Sequence, residues 1–196
     1  GVAGGIAAKL VDIAGSAVQA AGAFISSSVS MASDLNETLS KSEAIFGDQA
    51  GAMEAWASTS DKAYGLSKAA ALDAAAGFGD MFLQLGFVGD QAAGMSQDIV
   101  GLAADLGSFN NLDTSKVLDM LSASFRGEYD SLQRVIPNIN DARVETEALA
   151  QTGKSSAKEL TAQEKATATL SIVQGDGTKT SITLYDVKDL SMLKYT

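Results

Sequence analysis

The sequence predicts an all-α protein in which a long N-terminal helix is followed by a compact bundle of shorter helices and by a short irregular or β-like C-terminal tail. Apolar residues recur at a spacing of three and four over most of the chain, which is the period of an amphipathic helix. Proline, which breaks helices, occurs once. The glycine-bearing connections between the periodic segments are short, so neighbouring helices are expected to pack against each other.

Residues 1–46 predict one long apolar helix that is rich in alanine and glycine. Its seam of spaced residues, close to that of a coiled coil, consists of Ile6, Leu10, Ile13, Ala17, Ala21, Phe24, Met31, Leu35 and Leu39. Residues 13–33 carry no charge and are long enough to span a bilayer, although large apolar side chains are few. A self-associating helix and a membrane-active segment both stay open, with the same contact residues: Ile13, Ala17, Ala21, Phe24 and Ile25.

Residues 47–126 predict four shorter helices separated by glycine. The apolar face of the first contains Met53, Trp56, Ala57, Ser60 and Tyr64. The expected boundaries are a stop at Gly65, an N-cap at Ser67, stops at Gly86 and Gly107, and an N-cap at Asp113 or Thr114. The fourth helix is expected to turn Val117, Leu118, Leu121 and Phe125 inward.

The stretch "SFRGEYDSLQRVIPNIND", residues 124–141, concentrates helix-breaking signals in one place. Gly127 is expected to end one helix, and Pro137 is expected to stop the short helix that follows. The carboxylates Glu128 and Asp130 allow two interpretations: the acid and base of a glycosidase, or charges that stabilise a helix start, with Asp130 as the N-cap. Because capping explains both acids, we expect a fixed corner between two packed helices.

The C-terminal part of the chain is expected to divide into helices and a tail. A charged helix covers residues 141–150 and ends at Gly153, and Thr161 with Glu164 forms a capping box that opens one more helix. Residues 175–196 begin with a turn signal and contain no alanine, and residues 180–184 alternate like a strand. The expected segments are therefore the long helix 1–46, a helical module 47–174 and residues 175–196 as a divergent tail or a separate segment.

Composition excludes several classes of function. The chain contains no cysteine and no histidine, which rules out zinc sites built on thiolate or imidazole and also serine–histidine or cysteine–histidine nucleophile pairs. A net charge of −10 disfavours a specific nucleic-acid partner. The phosphate-loop-like "AQTGKSS" (150–156) and the dinucleotide-like "GFGDMF" (77–82) each lack a glycine that their motif requires. We therefore expect no enzymatic activity, no cofactor and no metal.

Several ordered segments of the chain resemble a known protein family. "SDLNETLSKSEAIFGD" is followed by "SKAAALDAAAGFGDMFLQLGF", "DQAAGMSQDIVGLAADLGSFNN" and "LSASFRGEYDSLQRV". In order and spacing, the run 31–173 is similar to the tail tape measure proteins of long-tailed, siphovirus-type bacteriophages, especially those of actinobacteria. The motif residues are Asp105, Ser108, Phe109, Asn110, Phe125, Gly127, Glu128, Leu132 and Pro137. The chain departs from the family pattern at Val135-Ile136-Pro137, where a glycine-valine step is usual.

The resemblance implies a structural role without a cofactor. Tape measure proteins fill the lumen of the tail tube, set its length during assembly and leave before the DNA passes. The implied partners are further copies of the chain, expected as a trimer, the tail tube protein, the tail tip and baseplate proteins and the tail assembly chaperones. The implied location is the virion tail, with the host cytoplasm during assembly. Two alternatives are a channel former that contacts the host membrane and a tail protein associated with cell-wall hydrolysis. Because the chain begins at Gly1, we expect it to be a piece of a longer polypeptide.

Overall fold

The computed structural model describes the backbone of residues 33–192 and the side chains of residues 33–177. All regular structure in this range is helical, which confirms the predicted all-α class. The α-helices are α1 (33–46), α2 (Ala50–Ala57), α3 (Ser60–Tyr64), α4 (Lys68–Gln84), α5 (Gly89–Asn110), α6 (Thr114–Phe125), α7 (Asp141–Thr152) and α8 (Ala162–Met192). Short 3-10 turns cover Gly47–Gln49, Leu132–Arg134 and Ala157–Glu159.

The predictions for the N-terminal segment are tested only in part. Residues 1–32, with the contact residues Ile13, Ala17, Ala21, Phe24 and Ile25, lie outside the described residues. The described part of this segment is helical as far as residue 46. In the range that the structure covers, no helix is both long enough and apolar enough to cross a bilayer.

Helix α5 occupies the middle of the bundle. It packs against α4, α6 and α8, and α7 packs mainly against α8. The large cluster of buried side chains lies where α4, α5, α6, α8 and the α6–α7 connection meet, and it includes Phe82, Leu106, Leu121, Phe125 and Leu132. This cluster is the main source of stability because burying one large apolar side chain contributes about 1.5–3 kcal/mol.

A second group, the alanine-rich cluster, joins α1, α2, α4 and α5. More than half of its buried members are alanine: Phe46, Met53, Ala57, Ala71, Leu72, Ala75, Ala76, Ala93 and Val100. The ring of Phe46 lies directly over Gly79 of α4, in the space that a Cβ atom would need. An ion pair between Lys41 and Asp73, with the Nζ and Oδ1 atoms 2.8 Å apart, also joins α1 to α4.

Local capping signals predicted several helix boundaries correctly. The Ser67 Oγ accepts a hydrogen bond from the Ala70 N–H at 3.2 Å, as expected for an N-cap. The Glu164 carboxylate accepts from the Thr161 N–H at 2.7 Å, and the Thr161 Oγ1 accepts from the Glu164 N–H at 3.2 Å. This is the predicted capping box of α8. Gly65 and Gly153 end α3 and α7 in the left-handed conformation, with φ of 66° and 70°.

The first predicted helix after residue 46 is interrupted. Its expected apolar face from Met53 to Tyr64 belongs to two helices, α2 and α3, with a turn at residues 58–59. The Ser58 and Thr59 hydroxyls donate to the backbone carbonyls of Glu54 and Trp56 at 2.8 Å and 2.7 Å. Such side-chain bonds compete with continued helix and favour a break here.

The predicted stop of α5 at Gly107 is wrong. The helix continues to Asn110 and ends at Asn111, which adopts the left-handed conformation with φ of 53°. Gly107 has another reason to be glycine, since a Cβ atom there would lie 2.9 Å from the Leu112 carbonyl oxygen. The glycine therefore allows the next turn of chain to fold back closely onto α5.

The predicted β-like tail is also wrong. Helix α8 continues through residues 175–192, including the expected strand 180–184. The Gly-Asp-Gly sequence lies inside this helix, where Gly177 lets α8 approach the Leu102 side chain of α5 closely. Asp176 forms an ion pair with Arg143 of α7 at 2.8 Å. Both tertiary contacts favour continuation of α8. They could not be predicted from the local turn pattern, because they depend on residues of other helices.

Candidate functional site at the α6–α7 corner

The corner begins with a Schellman motif at the end of α6. The Gly127 N–H donates to the Ser124 carbonyl and the Glu128 N–H donates to the Ala123 carbonyl, both at 3.0 Å. Gly127 has φ of 89°, the positive value that this motif requires at the residue after the cap. The predicted helix-ending role of Gly127 is therefore confirmed.

The connection after Gly127 is attached to the core by its apolar residues. Tyr129 is only 6% exposed, and Leu132 and Ile136 are fully buried or nearly so. The Tyr129 carbonyl accepts hydrogen bonds from the N–H groups of Leu132 and Gln133 at 3.0 Å and 3.2 Å. The Leu132 bond spans three residues, as in a 3-10 helix, and a single 3-10 turn at Leu132–Arg134 stands in place of the short helix that the sequence predicts.

The prediction that Asp130 is an N-cap is wrong. The residue before the 3-10 turn is Ser131, and no side-chain capping bond is formed there. The backbone carbonyl of Tyr129 already accepts the N–H groups that a cap would accept. The turn ends at Arg134, three residues ahead of Pro137, so the predicted stop lies before the proline.

The second half of the corner is fixed by amide side chains. The Gln133 Nε2 donates to the Ile139 carbonyl at 2.9 Å, which joins both sides of the proline turn. Asn138 takes up positive φ, at 69°. The Asn140 Oδ1 accepts from the Arg143 N–H at 3.0 Å and so caps the start of α7. The corner is therefore held by local bonds along its whole length.

An acidic cleft of about 540 Å³ opens beside the corner. It is lined by Gly127, Glu128, Tyr129, Asp130, Ser131, Asn140 and Asp141. Glu128 and Asp130 are exposed to solvent. The acid of a glycosidase is typically held in an apolar pocket, whereas these two carboxylates lie in an open polar cleft. Within the described residues, no group of three acidic side chains is arranged to hold a metal ion.

Two titratable groups behind the cleft have raised pKa values. Burial raises the pKa of the Tyr129 phenol, which lies beside Thr169, so the phenol stays protonated at neutral pH. The Lys165 Nζ lies 2.7 Å from Glu145 Oε1, and this contact raises the pKa of Lys165. A protonated phenol and a charged lysine are poor general bases at pH 7.

The structure brings together only some of the motif residues. Phe125 and Leu132 belong to the large cluster. Leu106, which is not a motif residue but lies in the family-like segment at the end of α5, belongs to the same cluster. The Asn110 Nδ2 donates to the Leu106 carbonyl at 2.8 Å within the last turn of α5. The other motif residues of α5, namely Asp105, Ser108 and Phe109, lie on the surface.

Two structural features of this region were missed by the sequence interpretation. Tyr129 is the buried aromatic residue that attaches the corner to the core. The sequence signal for it is a single aromatic residue between two acidic ones, Glu128 and Asp130. Glu145 and Lys165 are twenty residues apart and pair only because α7 and α8 pack together. No pattern local to either helix predicts that pair.

Comparison of the chain with models of protein families, with curated proteins and with solved structures found no match. We therefore base the functional proposal on the order of the sequence segments and on the geometry of the fold.

Proposed function

We propose that the chain is a helical module of a phage tail tape measure protein and that its role is structural. In this proposal the protein occupies the lumen of the tail tube, sets the tail length during assembly and is released when the genome is ejected. Its partners are further copies of itself, the tail tube protein, the tail tip and baseplate proteins and the assembly chaperones. The chain has no catalytic role in this proposal.

The observation that carries the proposal is the convergence of separate family-like segments in one core. Leu106 belongs to the segment that ends α5, whereas Phe125 and Leu132 belong to the segment at the corner. All three are buried in the large cluster, with exposures of 0%, 7% and 0%. Ordered segments that resemble one family and also build one core are best explained as parts of one structural module.

The charge of the chain also supports a role inside a DNA conduit. The 24 acidic residues outnumber the 14 basic ones. A negative surface repels the phosphate backbone of DNA. The module is therefore expected not to bind the DNA that must pass through the same lumen. The acidic cleft at the corner has the same sign, with three carboxylates among its lining residues.

A tail-length measurement tests the proposal. The in-frame duplication of residues 33–192 is introduced into the protein, and assembled tails are measured by electron microscopy. A ruler should lengthen the tail, by at most about 1.5 Å per added helical residue. The matched control carries the duplication with Phe125→Ala in both copies, which separates chain length from correct folding. Tails of unchanged length, assembled with the duplicated protein inside, would exclude the ruler role.

A further inference from the structure

A groove distant in sequence from the corner combines aromatic rings with carboxylates. It lies where α2 and α3 meet α5 and α8, and it has a volume of about 480 Å³. The rings are those of Trp56 and Tyr64, whose centroids are 6.3 Å apart and whose planes are tilted by 45°. We name this site the aromatic groove.

Helix α5 supplies the floor of the aromatic groove. Asp98, Gly101 and Asp105 recur at a spacing of three and four, so they lie on one face of the helix. The Tyr64 side chain lies against Gly101, with two ring carbons and the phenolic oxygen each 3.3 Å from the place of a Cβ atom. The absence of a side chain at Gly101 therefore lets the phenol lie close to α5, in the same groove as the two carboxylates.

The two amides in the groove are already engaged. The Gln174 Nε2 of α8 donates to Asp98 Oδ2 at 3.1 Å, and the Gln97 Nε2 donates to the Met53 sulfur at 3.0 Å. Fewer donors are thus available for a ligand with many hydroxyl groups, such as a sugar. Among the described residues that line the groove, none carries a positive charge.

We propose that the aromatic groove binds an organic cation, an alkylammonium or alkylguanidinium group, placed against the rings of Trp56 and Tyr64 and beside the carboxylates of Asp98 and Asp105. A cation within about 6 Å of an aromatic face is attracted by the ring quadrupole, most strongly by tryptophan. The carboxylates add an attraction that neutral ligands lack. The site is independent of the corner and of the proposed structural role.

The chain supplies its own reporter for this site, because Trp56 is its single tryptophan. The full chain is titrated with choline at constant ionic strength, and tryptophan fluorescence is recorded. The matched neutral ligand is 3,3-dimethylbutanol, which has the same shape without the charge. We expect a saturable change with choline, with a dissociation constant on the order of millimolar, and no saturable change with the neutral ligand.

Two exposed aspartates provide the matched variants. Asp105→Asn removes one charge from the groove and should weaken choline binding by about two- to fivefold, the range of an exposed ion pair. Asp119→Asn, on α6 and outside the groove, should leave the affinity unchanged. Circular dichroism spectra of both variants are compared with that of the unaltered protein to check that they are folded. Equal responses to choline and its neutral analogue, or equal affinities of the two variants, would overturn the proposal.

The source of the cation is tested in a second arm. A blocked peptide with one arginine between neutral residues is compared with free ethylguanidinium in the same titration. Tighter binding of the peptide assigns the groove to a side chain of a partner protein. Tighter binding of the free cation assigns it to a small molecule. Failure of both cations to bind, with saturable binding of glucose, would replace the cation proposal by a carbohydrate site.

Discussion

Gly127 and Gly79 are glycine for different physical reasons. Gly127 has φ of 89° and open space where a Cβ atom would lie, so only its backbone conformation requires glycine. Gly79 has ordinary helical backbone, but the Phe46 ring occupies the position of a Cβ atom. The first reason is local and readable from a sequence, whereas the second depends on a distant residue.

Substitution of Gly127 tests the local reason. Gly127→Ala should lower the free energy of unfolding by about 1–2 kcal/mol, because a Cβ atom is strained at positive φ. The control is Gly94→Ala in α5, where no atom lies within 4 Å of the new methyl group. Since that backbone is helical, the control should stabilise the protein by about 0.5–1 kcal/mol. Urea denaturation measures both, and equal signs would contradict the role given to Gly127.

Phe125 is the second residue whose role is testable. It contacts Phe82 edge-to-face with ring centroids 5.1 Å apart and is 7% exposed. Phe125→Ala should cost about 3–5 kcal/mol because it leaves a cavity in the large cluster. Phe109→Ala is the matched control, since Phe109 is 40% exposed and should lose less than about 1 kcal/mol. A small loss at Phe125 would place that side chain outside the core.

At the element scale, the "GFGDMF" stretch of α4 positions α1. Gly79→Ala should destabilise the protein by about 1–2 kcal/mol, because overpacking against Phe46 exceeds the gain in helix propensity. Gly77→Ala, two residues earlier in the same helix and with open space, should instead stabilise by about 0.5–1 kcal/mol. Thermal melts compare the two. Stabilisation by Gly79→Ala would show that α1 is not held over α4.

The start of α8 should depend on pH. The hydrogen bond from Lys154, at 2.6 Å, and the bond from the Thr161 N–H lower the pKa of Glu164 below its ordinary value of 4.5. The carboxylate therefore contributes stability above that value, and this contribution is lost as the pH falls through the folded-state pKa. The melting temperature should exceed that of Glu164→Gln at pH 7. The difference should shrink as the pH falls below 4.5 and vanish once the carboxyl is protonated in the folded state. A difference in melting temperature that persists in acid would mean that the shape of the Glu164 side chain, and not its charge, stabilises the start of α8.

The whole molecule is expected to self-associate through residues 1–46. This stays a prediction, because residues 1–32 lie outside the described part of the chain. The near-heptad seam with small residues motivates it. Sedimentation equilibrium of the segment should show an oligomer, expected as a trimer. A strict monomer at ~100 μM, well above micromolar dissociation constants, would count against it.

The sequence predicted those parts of the fold that depend on neighbouring residues. The all-α class, the Thr161–Glu164 box and the turn at Gly127 follow from short patterns. The errors at Gly107 and at the Gly-Asp-Gly stretch have a common cause. In a sequence, a glycine that allows close packing within a helix cannot be distinguished from a glycine that ends one. The aromatic groove was beyond prediction because Tyr64 and Asp105 come together only through the packing of α3 on α5.

The alanine-rich cluster has a consequence for how the protein tolerates genetic change. A buried alanine has no side-chain rotamers to lose, so ordering this half of the molecule costs less conformational entropy than ordering leucines would. The alanine side chain is a single methyl group, so a substitution can hardly make it smaller. Most random substitutions at Ala71, Ala75, Ala76 and Ala93 therefore enlarge the side chain, and crowding costs about 1–3 kcal/mol each time. As random substitutions accumulate, the alanine-rich cluster should lose stability mainly through overpacking. The large cluster, which is built on phenylalanine and leucine, should lose stability mainly through cavities.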